Sequence, residues 1–207
     1  MRLPDPPLLL VTDRRQARRT LGEIAEAAFA AGCRWVSVRE KDLSVAEQIA
    51  LVGEIIERAH PWGASVSLHG DPNDAQEAEA DGVHLPAAGN VPAARAVLGP
   101  AALVGLSIHT PEEARGLDPA LLDYIIAGPL FESASKPDYG PALGPEGLKQ
   151  IVAVAPVPVI AIGGISAANA AAALNAGAAG IAVMGGVMRA ADPGAEIRAL
   201  LAALRRH

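Results

Sequence analysis

Cysteine is all but missing: Cys33 stands alone, so no disulfide can form within the chain. With no CxxC or metal-type spacing around it, Cys33 is expected to serve as a buried small hydrophobe. Aromatic residues are scarce at 3%, and no basic run is interleaved with them. A net charge of -6 and a pI near 5.3 complete the case against a phosphate-backbone footprint, so no nucleic-acid partner is expected. Long apolar runs are missing too. The Ala-rich tract 167–188 is split by Asn169, Asn175 and glycines into helix, turn and strand, and no membrane span is predicted. The start, Met1-Arg2-Leu3-Pro4-Asp5-Pro6-Pro7, lacks the apolar segment of a signal peptide, and a cytoplasmic protein is expected. No GxGxxG follows the first apolar run, which argues against an open, dinucleotide-binding sheet.

What the chain does have is alternation. Over 207 residues, 51% of them hydrophobic, short β-rich runs alternate with helical spacing, the pattern of βα units around a parallel sheet. Strands are predicted at 8–12, 35–38, 64–68, 82–85, 103–106, 123–127, 157–162 and 180–184. Helices are predicted at about 21–29, 44–59, 72–79, 92–98, 111–115, 145–154, 167–175 and 193–205. Gly32 closes the first helix, Ser44 with Glu47 makes a capping box, and Pro111 opens a helix. Eight such pairs predict an α/β fold, a (β/α)8 TIM barrel forming a single domain over 1–207. The longest loop, 128–144, is rich in Pro, Ser and Gly, and a long loop in a compact domain is expected to be functional.

The stretch from Pro158 to Ser166 and its echo from Gly180 to Gly186 each end an apolar run in a glycine pair. Glycine lets an anion approach the main chain, and a helix start adds unpaired N–H groups and about half a positive charge. In a barrel this is the place after strands seven and eight where phosphate sits. Gly163, Gly164, Met184, Gly185 and Gly186 are therefore predicted to bind phosphate.

Polar residues at the carboxyl ends of barrel strands converge on one mouth. They are Thr12 and Asp13; Arg39, Glu40 and Lys41; His69 and Asp71; His84; Ser107 and His109; and Ser133, Ser135 and Lys136. Arg39 and Lys41 alternate, so they face one side and suit an anionic group. Lys136 adds a cation, and Ser107, Ser133 and Ser135 add hydroxyls. His109 leaves an apolar strand at the rim, where an imidazole can take and return a proton or can serve the helix start that follows. His84, between Val83 and Leu85, reads as a packed core histidine.

Several segments together carry a resemblance: Val11-Thr12-Asp13, Val38-Arg39-Glu40-Lys41, Ala80-Asp81-Gly82-Val83-His84-Leu85, Gly105-Leu106-Ser107-Ile108-His109, Asp123-Tyr124 with Gly128-Pro129-Leu130-Phe131, Ser133-Ala134-Ser135-Lys136, Ile160-Ala161-Ile162-Gly163-Gly164-Ile165 and Ile181-Ala182-Val183-Met184. In register over nearly the whole length, these resemble the thiamine phosphate synthase/TenI superfamily of barrels. The synthases of that superfamily join a hydroxymethylpyrimidine diphosphate to a thiazole phosphate and hold Mg²⁺ with two aspartates. The corresponding turns here read His69-Gly70-Asp71 and Pro86-Ala87-Ala88-Gly89, with glycine at both aspartate positions. The glutamine before the superfamily's Arg-Glu-Lys is Ser37.

The resemblance to the TenI-like branch then implies a metal-independent thiazole tautomerase of thiamine biosynthesis, with His109 as the catalytic residue moving one proton. Arg39, Lys41, Ser107, Ser133, Ser135 and Lys136 would bind the substrate. No cofactor and no metal are expected on this reading. A thiazole phosphate would be the small-molecule partner, and a homo-oligomer is expected. Two alternatives stand beside it: a thiamine phosphate synthase with an altered metal site, which would need Mg²⁺, and a non-catalytic barrel that binds thiazole or thiamine phosphate.

Overall fold

The computed structural model describes residues 3–132 and 142–205. Eight parallel strands close into a barrel in sequence order, β1 pairing with β2 on one side and β8 on the other. They are β1 (Leu8–Val11), β2 (Trp35–Val38), β3 (Ser65–His69), β4 (Gly82–Leu85), β5 (Leu103–Ile108), β6 (Tyr124–Ala127), β7 (Val159–Ile162) and β8 (Gly180–Val183). The helices are α1 (Leu21–Ala30), α2 (Val45–Ala59), α3 (Pro72–Glu77), α4 (Val91–Leu98), α5 (Pro111–Arg115), α6 (Gly144–Val152), α7 (Ala170–Asn175), α8 (Gly185–Met188) and α9 (Pro193–Leu204). This is the (β/α)8 barrel that the alternation predicts. Among the described residues no helix is long and apolar enough to cross a membrane.

Every residue of β1, β2, β4, β6 and β8 is buried, as expected of parallel strands covered on both faces. Along β1 the side chains part by turns. Leu8 and Leu10 join Ile24, Ala28 and Phe29 of α1 in the layer between barrel and helices. Leu9 and Val11 cluster instead with Trp35, Tyr124, Ile126, Ile160 and Ala182 inside the barrel. There the Trp35 and Tyr124 rings meet edge to face with centroids 4.7 Å apart, filling the lumen below the mouth.

Helix starts follow the sequence chemistry. The Ser44 N–H donates to Glu47 Oε2 at 2.8 Å and the Glu47 N–H to Ser44 Oγ at 3.4 Å. Thr20 with Glu23 and Thr110 with Glu113 repeat this box, each contributing ~1 kcal/mol. At the opposite end of the barrel, carboxylates tie neighbouring strands: Asp81 accepts from the Val66 N–H at 2.7 Å and Asp123 from the Val104 N–H at 2.8 Å. Asp123 also pairs with Arg95 at 2.6 Å in a largely buried contact.

Several boundaries differ from the sequence reading, three of them beside the mouth or the glycine turns. The residues after β8 form the short helix α8 before α9. The turn closes through bonds from the Met188 and Arg189 N–H groups to the Met184 and Gly185 carbonyls. Strand β7 begins at Val159 rather than 157, since Pro158 has no N–H to give a ladder. Helix α7 begins at Ala170 rather than 167, since the Ser166 N–H bonds to the Asn169 side chain in a turn instead.

Candidate active site

A cavity of about 770 Å³ opens at the carboxyl ends of the strands. Arg39, Lys41, Ser107, His109, Gly163, Gly164, Met184, Gly185 and Gly186 all line it, as do His69 and His84. Thr12, Asp13, Glu40 and Asp71 do not. Ser133, Ser135 and Lys136 lie outside the described residues.

The β2 rim is set by alternation. Glu40 is 2% exposed and turns away from the cavity, and both its carboxylate oxygens accept the Arg14 N–H at 3.0 and 3.2 Å. Burial raises its pKa above the usual carboxylate range. Its neighbours Arg39 and Lys41 consequently face the cavity. The Arg39 N–H donates to Thr12 Oγ1 at 2.9 Å, fixing the strand end. Burial first, and then the Arg39 charge, lower the Lys41 pKa below its ordinary value.

The floor is polar and neutral. His84 is 1% exposed, with Nε2 2.9 Å from Ser107 Oγ and Nδ1 3.2 Å from the Tyr124 hydroxyl. Burial brings its pKa down to about 3 and pushes that of Tyr124 up. His84 is thus the packed histidine that the sequence suggests, and it lines the cavity as well. The His69 ring lies beside it, centroids 5.1 Å apart. Ser37 is 1% exposed and lines the cavity, and its Oγ has no hydrogen-bond partner among the described residues. A buried hydroxyl left unsatisfied is costly unless something entering the cavity pairs with it.

His109 does two things. Its backbone N–H donates to the Glu113 carboxylate at the start of α5, the helix-start role. Its ring lines the cavity, with Nδ1 2.8 Å from the Gly128 carbonyl oxygen. A carbonyl only accepts, so Nδ1 carries a hydrogen and donates it there.

On the β7–β8 side, Gly163 and Gly164 have φ of 103° and 63°, a backbone hand that disfavours any side chain. A Cβ on Gly163 would stand 2.7 Å from Pro129 Cα, and one on Gly164 would stand 2.6 Å from the Glu132 carbonyl oxygen. Packing against the loop after β6 therefore demands these glycines whatever anion they admit. Two residues escaped the sequence reading. Asn169 accepts the Ser166 N–H at 2.8 Å and donates to the Gly164 carbonyl at 2.9 Å, bracing the glycine turn; its spacing three residues after Ser166 was the available signal. Arg189, at the end of α8, lines the cavity and bonds to Gln16 Oε1; its place one turn after the Gly185-Gly186 pair could have marked it.

Mg²⁺ asks for hard oxygen donors, and the described turns after β3 and β4 do not supply them. A Cβ on Gly89 would stand 2.7 Å from Leu85 Cβ, so that turn has closed over the space a carboxylate would need. Gly70 faces open space but carries no donor. The exposed Asp71 accepts the Asn73 N–H at 2.7 Å as the cap of α3. Among the described residues, no three His, Cys, Asp or Glu side chains gather so as to hold a metal ion. This donor set does not fit a protein-held Mg²⁺.

The family model for thiamine monophosphate synthase (TMP-TenI) matches residues 8–187. The thiamine biosynthesis bifunctional protein ThiM/ThiE of Symbiobacterium thermophilum is 40% identical over 185 residues, which is 89% of this chain and 38% of that protein. The chain thus spans well under half of that relative. The thiamine-phosphate synthase of Roseiflexus sp. strain RS-1 is 37% identical over 198 residues, 94% of this chain and 84% of that protein. The structure of a thiamine phosphate pyrophosphorylase from Pyrococcus furiosus superposes with a TM-score of 0.85 at 28% identity, covering 96% of this chain and 95% of that one.

These relatives overturn the expectation of a thiazole tautomerase, and with it that of an isomerase. That expectation leaned on His109 and on glycine at two aspartate positions. Two missing carboxylates describe what can hold a metal, not which bond is made, and a rim histidine anchored on Gly128 is not specific to a proton shift. The alternation, the closed barrel, the mouth and the similarities agree on one conclusion: the chain belongs to the thiamine monophosphate synthase family.

Proposed function

We propose that the chain is an enzyme of thiamine biosynthesis, a thiamine-phosphate synthase. It would be a transferase joining hydroxymethylpyrimidine diphosphate to a thiazole phosphate. In this reaction the thiazole ring nitrogen bonds to the exocyclic methylene carbon of the pyrimidine. The carbon–oxygen bond to the diphosphate breaks and its electron pair leaves with pyrophosphate. Two phosphorylated substrates need two anion sites around a floor that accepts neutral rings.

The observation that carries this reading is that one cavity holds such a set: cations Arg39 and Lys41 at the β2 rim, and the glycine turns after β7 and β8. We assign the diphosphate to the former, and the monophosphate to Gly163, Gly164, Met184, Gly185 and Gly186. Ser107, held by His84, and the unpaired hydroxyl of Ser37 face the rings. Bonding at the thiazole nitrogen requires no proton transfer, so His109 is assigned to bind and orient substrate.

The test is direct. The purified chain is incubated with both substrates, with and without Mg²⁺, and thiamine phosphate and pyrophosphate are quantified. The two products in equal amounts are expected; neither product under either condition would overturn the assignment.

A further inference from the structure

The protein carries net charge -6, yet its mouth is cationic. Arg39, Lys41 and Arg189 line the cavity, and Glu132 is the one acid among the described lining residues. Neither Arg39 nor Lys41 forms an ion pair with a described residue. They stand two residues apart on one rim, where burial first and then the Arg39 charge lower the Lys41 pKa. Two like charges gathered at a rim, without a counterion among the described residues, favour an anion that bridges them. Arg189 lines the same cavity and bonds to Gln16 Oε1, and Gln16 in turn donates to Asp13 Oδ2 at 2.5 Å.

Of the two carboxylates that would bring a divalent cation to this mouth, one is excluded by packing and the other is replaced by a residue without a donor. The Gly89 turn is folded onto Leu85, leaving 2.7 Å where a Cβ would go. At Gly70 the space is open but no oxygen fills it.

Resting on the synthase reading, we infer that this mouth holds the diphosphate of its substrate with Arg39, Lys41 and Arg189 in place of a protein-bound divalent cation. Arg189 thereby becomes a diphosphate-binding residue. The guanidinium and ammonium groups supply fixed positive charge that needs no bound ion.

The probe is inorganic pyrophosphate, titrated calorimetrically into the whole protein in EDTA and again in excess Mg²⁺. The affinity in EDTA is expected to equal or exceed that in Mg²⁺. Lys41→Met and Arg189→Gln, both at exposed positions, should each weaken binding in EDTA about tenfold or more, since each removes one charge-assisted contact. Binding tenfold or more tighter in Mg²⁺, or unchanged affinity in both variants, would overturn the inference.

Synthesis of thiamine phosphate separates this result from the parent reading. Turnover with Mg²⁺ but none in EDTA would sink the inference and leave the synthase assignment standing. Tight pyrophosphate binding in EDTA with no turnover under either condition would do the reverse.

Discussion

His84 and Ser107 face each other from adjacent strands, Nε2 and Oγ 2.9 Å apart, in the floor of the cavity. The imidazole is fully enclosed, and its enclosure holds the folded-state pKa near 3, against ~6.5 in an unfolded chain. Between those values the unfolded state takes up a proton that the folded state refuses. Stability therefore falls as pH is lowered from about 6.5 toward 3, by up to ~1.4 kcal/mol per pH unit from this residue. His84→Gln should flatten the dependence: urea unfolding from pH 7 to pH 5 should cost the variant ~2 kcal/mol less than the wild type. Parallel slopes would show that the imidazole is not held neutral.

Glycines 70 and 89 should respond differently to the same change. A methyl group at Gly89 would meet Leu85 Cβ at 2.7 Å, whereas one at Gly70 meets nothing within 4 Å. Gly89→Ala should lose ~1–3 kcal/mol, and Gly70→Ala should stay within ~0.5 kcal/mol of the wild type. Thermal denaturation of the two variants side by side checks the contrast. Equal stability would mean that the turn before α4 yields easily.

Asn169 braces the turn after β7 through bonds of 2.8 and 2.9 Å. Asn169→Ala should cost ~1–3 kcal/mol in stability. It should also weaken thiazole phosphate binding several-fold while leaving pyrophosphate affinity unchanged. Asn169→Asp keeps the acceptor for the Ser166 N–H but loses the donor to Gly164, and should fall between. Calorimetric titration of both ligands into both variants measures this; equal losses for the two ligands would point to general loosening instead.

At the other end of the barrel, Arg95 reaches Asp123 at 2.6 Å and also donates to the Leu121, Gly99 and Ala102 carbonyls. Arg95→Met leaves a poorly solvated carboxylate and should cost ~3 kcal/mol. The pair is far from the mouth, so KM for both substrates should hold steady below the melting temperature. A shifted KM would show that strain at one end reaches the other.

The barrel was legible in the sequence because each strand is a short apolar run bounded by its own turn residues. The cations at 39 and 41 were legible because a period of two places both on one face once the strand is placed. Helix α8 was not, since a four-residue helix opened by two glycines has neither an apolar period nor a capping side chain. Asn169 and Arg189 act from turns whose direction is settled only when α7 and α8 pack on the barrel. The misreading of the chemistry has a different cause. Gly70 and Gly89 mark a changed donor set, but a donor set underdetermines the bond being formed, and it was the relatives that turned the reading from tautomerase toward synthase.

Cys33 sits at 0% exposure with its Sγ donating to the Trp35 carbonyl at 3.3 Å, and its enclosure raises the thiol pKa to about 11. Alkylating reagents and peroxide need the thiolate, so the native barrel should tolerate both without added reductant. The same seal makes this single sulfur a clock: iodoacetamide will mark it only when the layer between α1 and the first two strands opens, and the labelling rate will time how often it does.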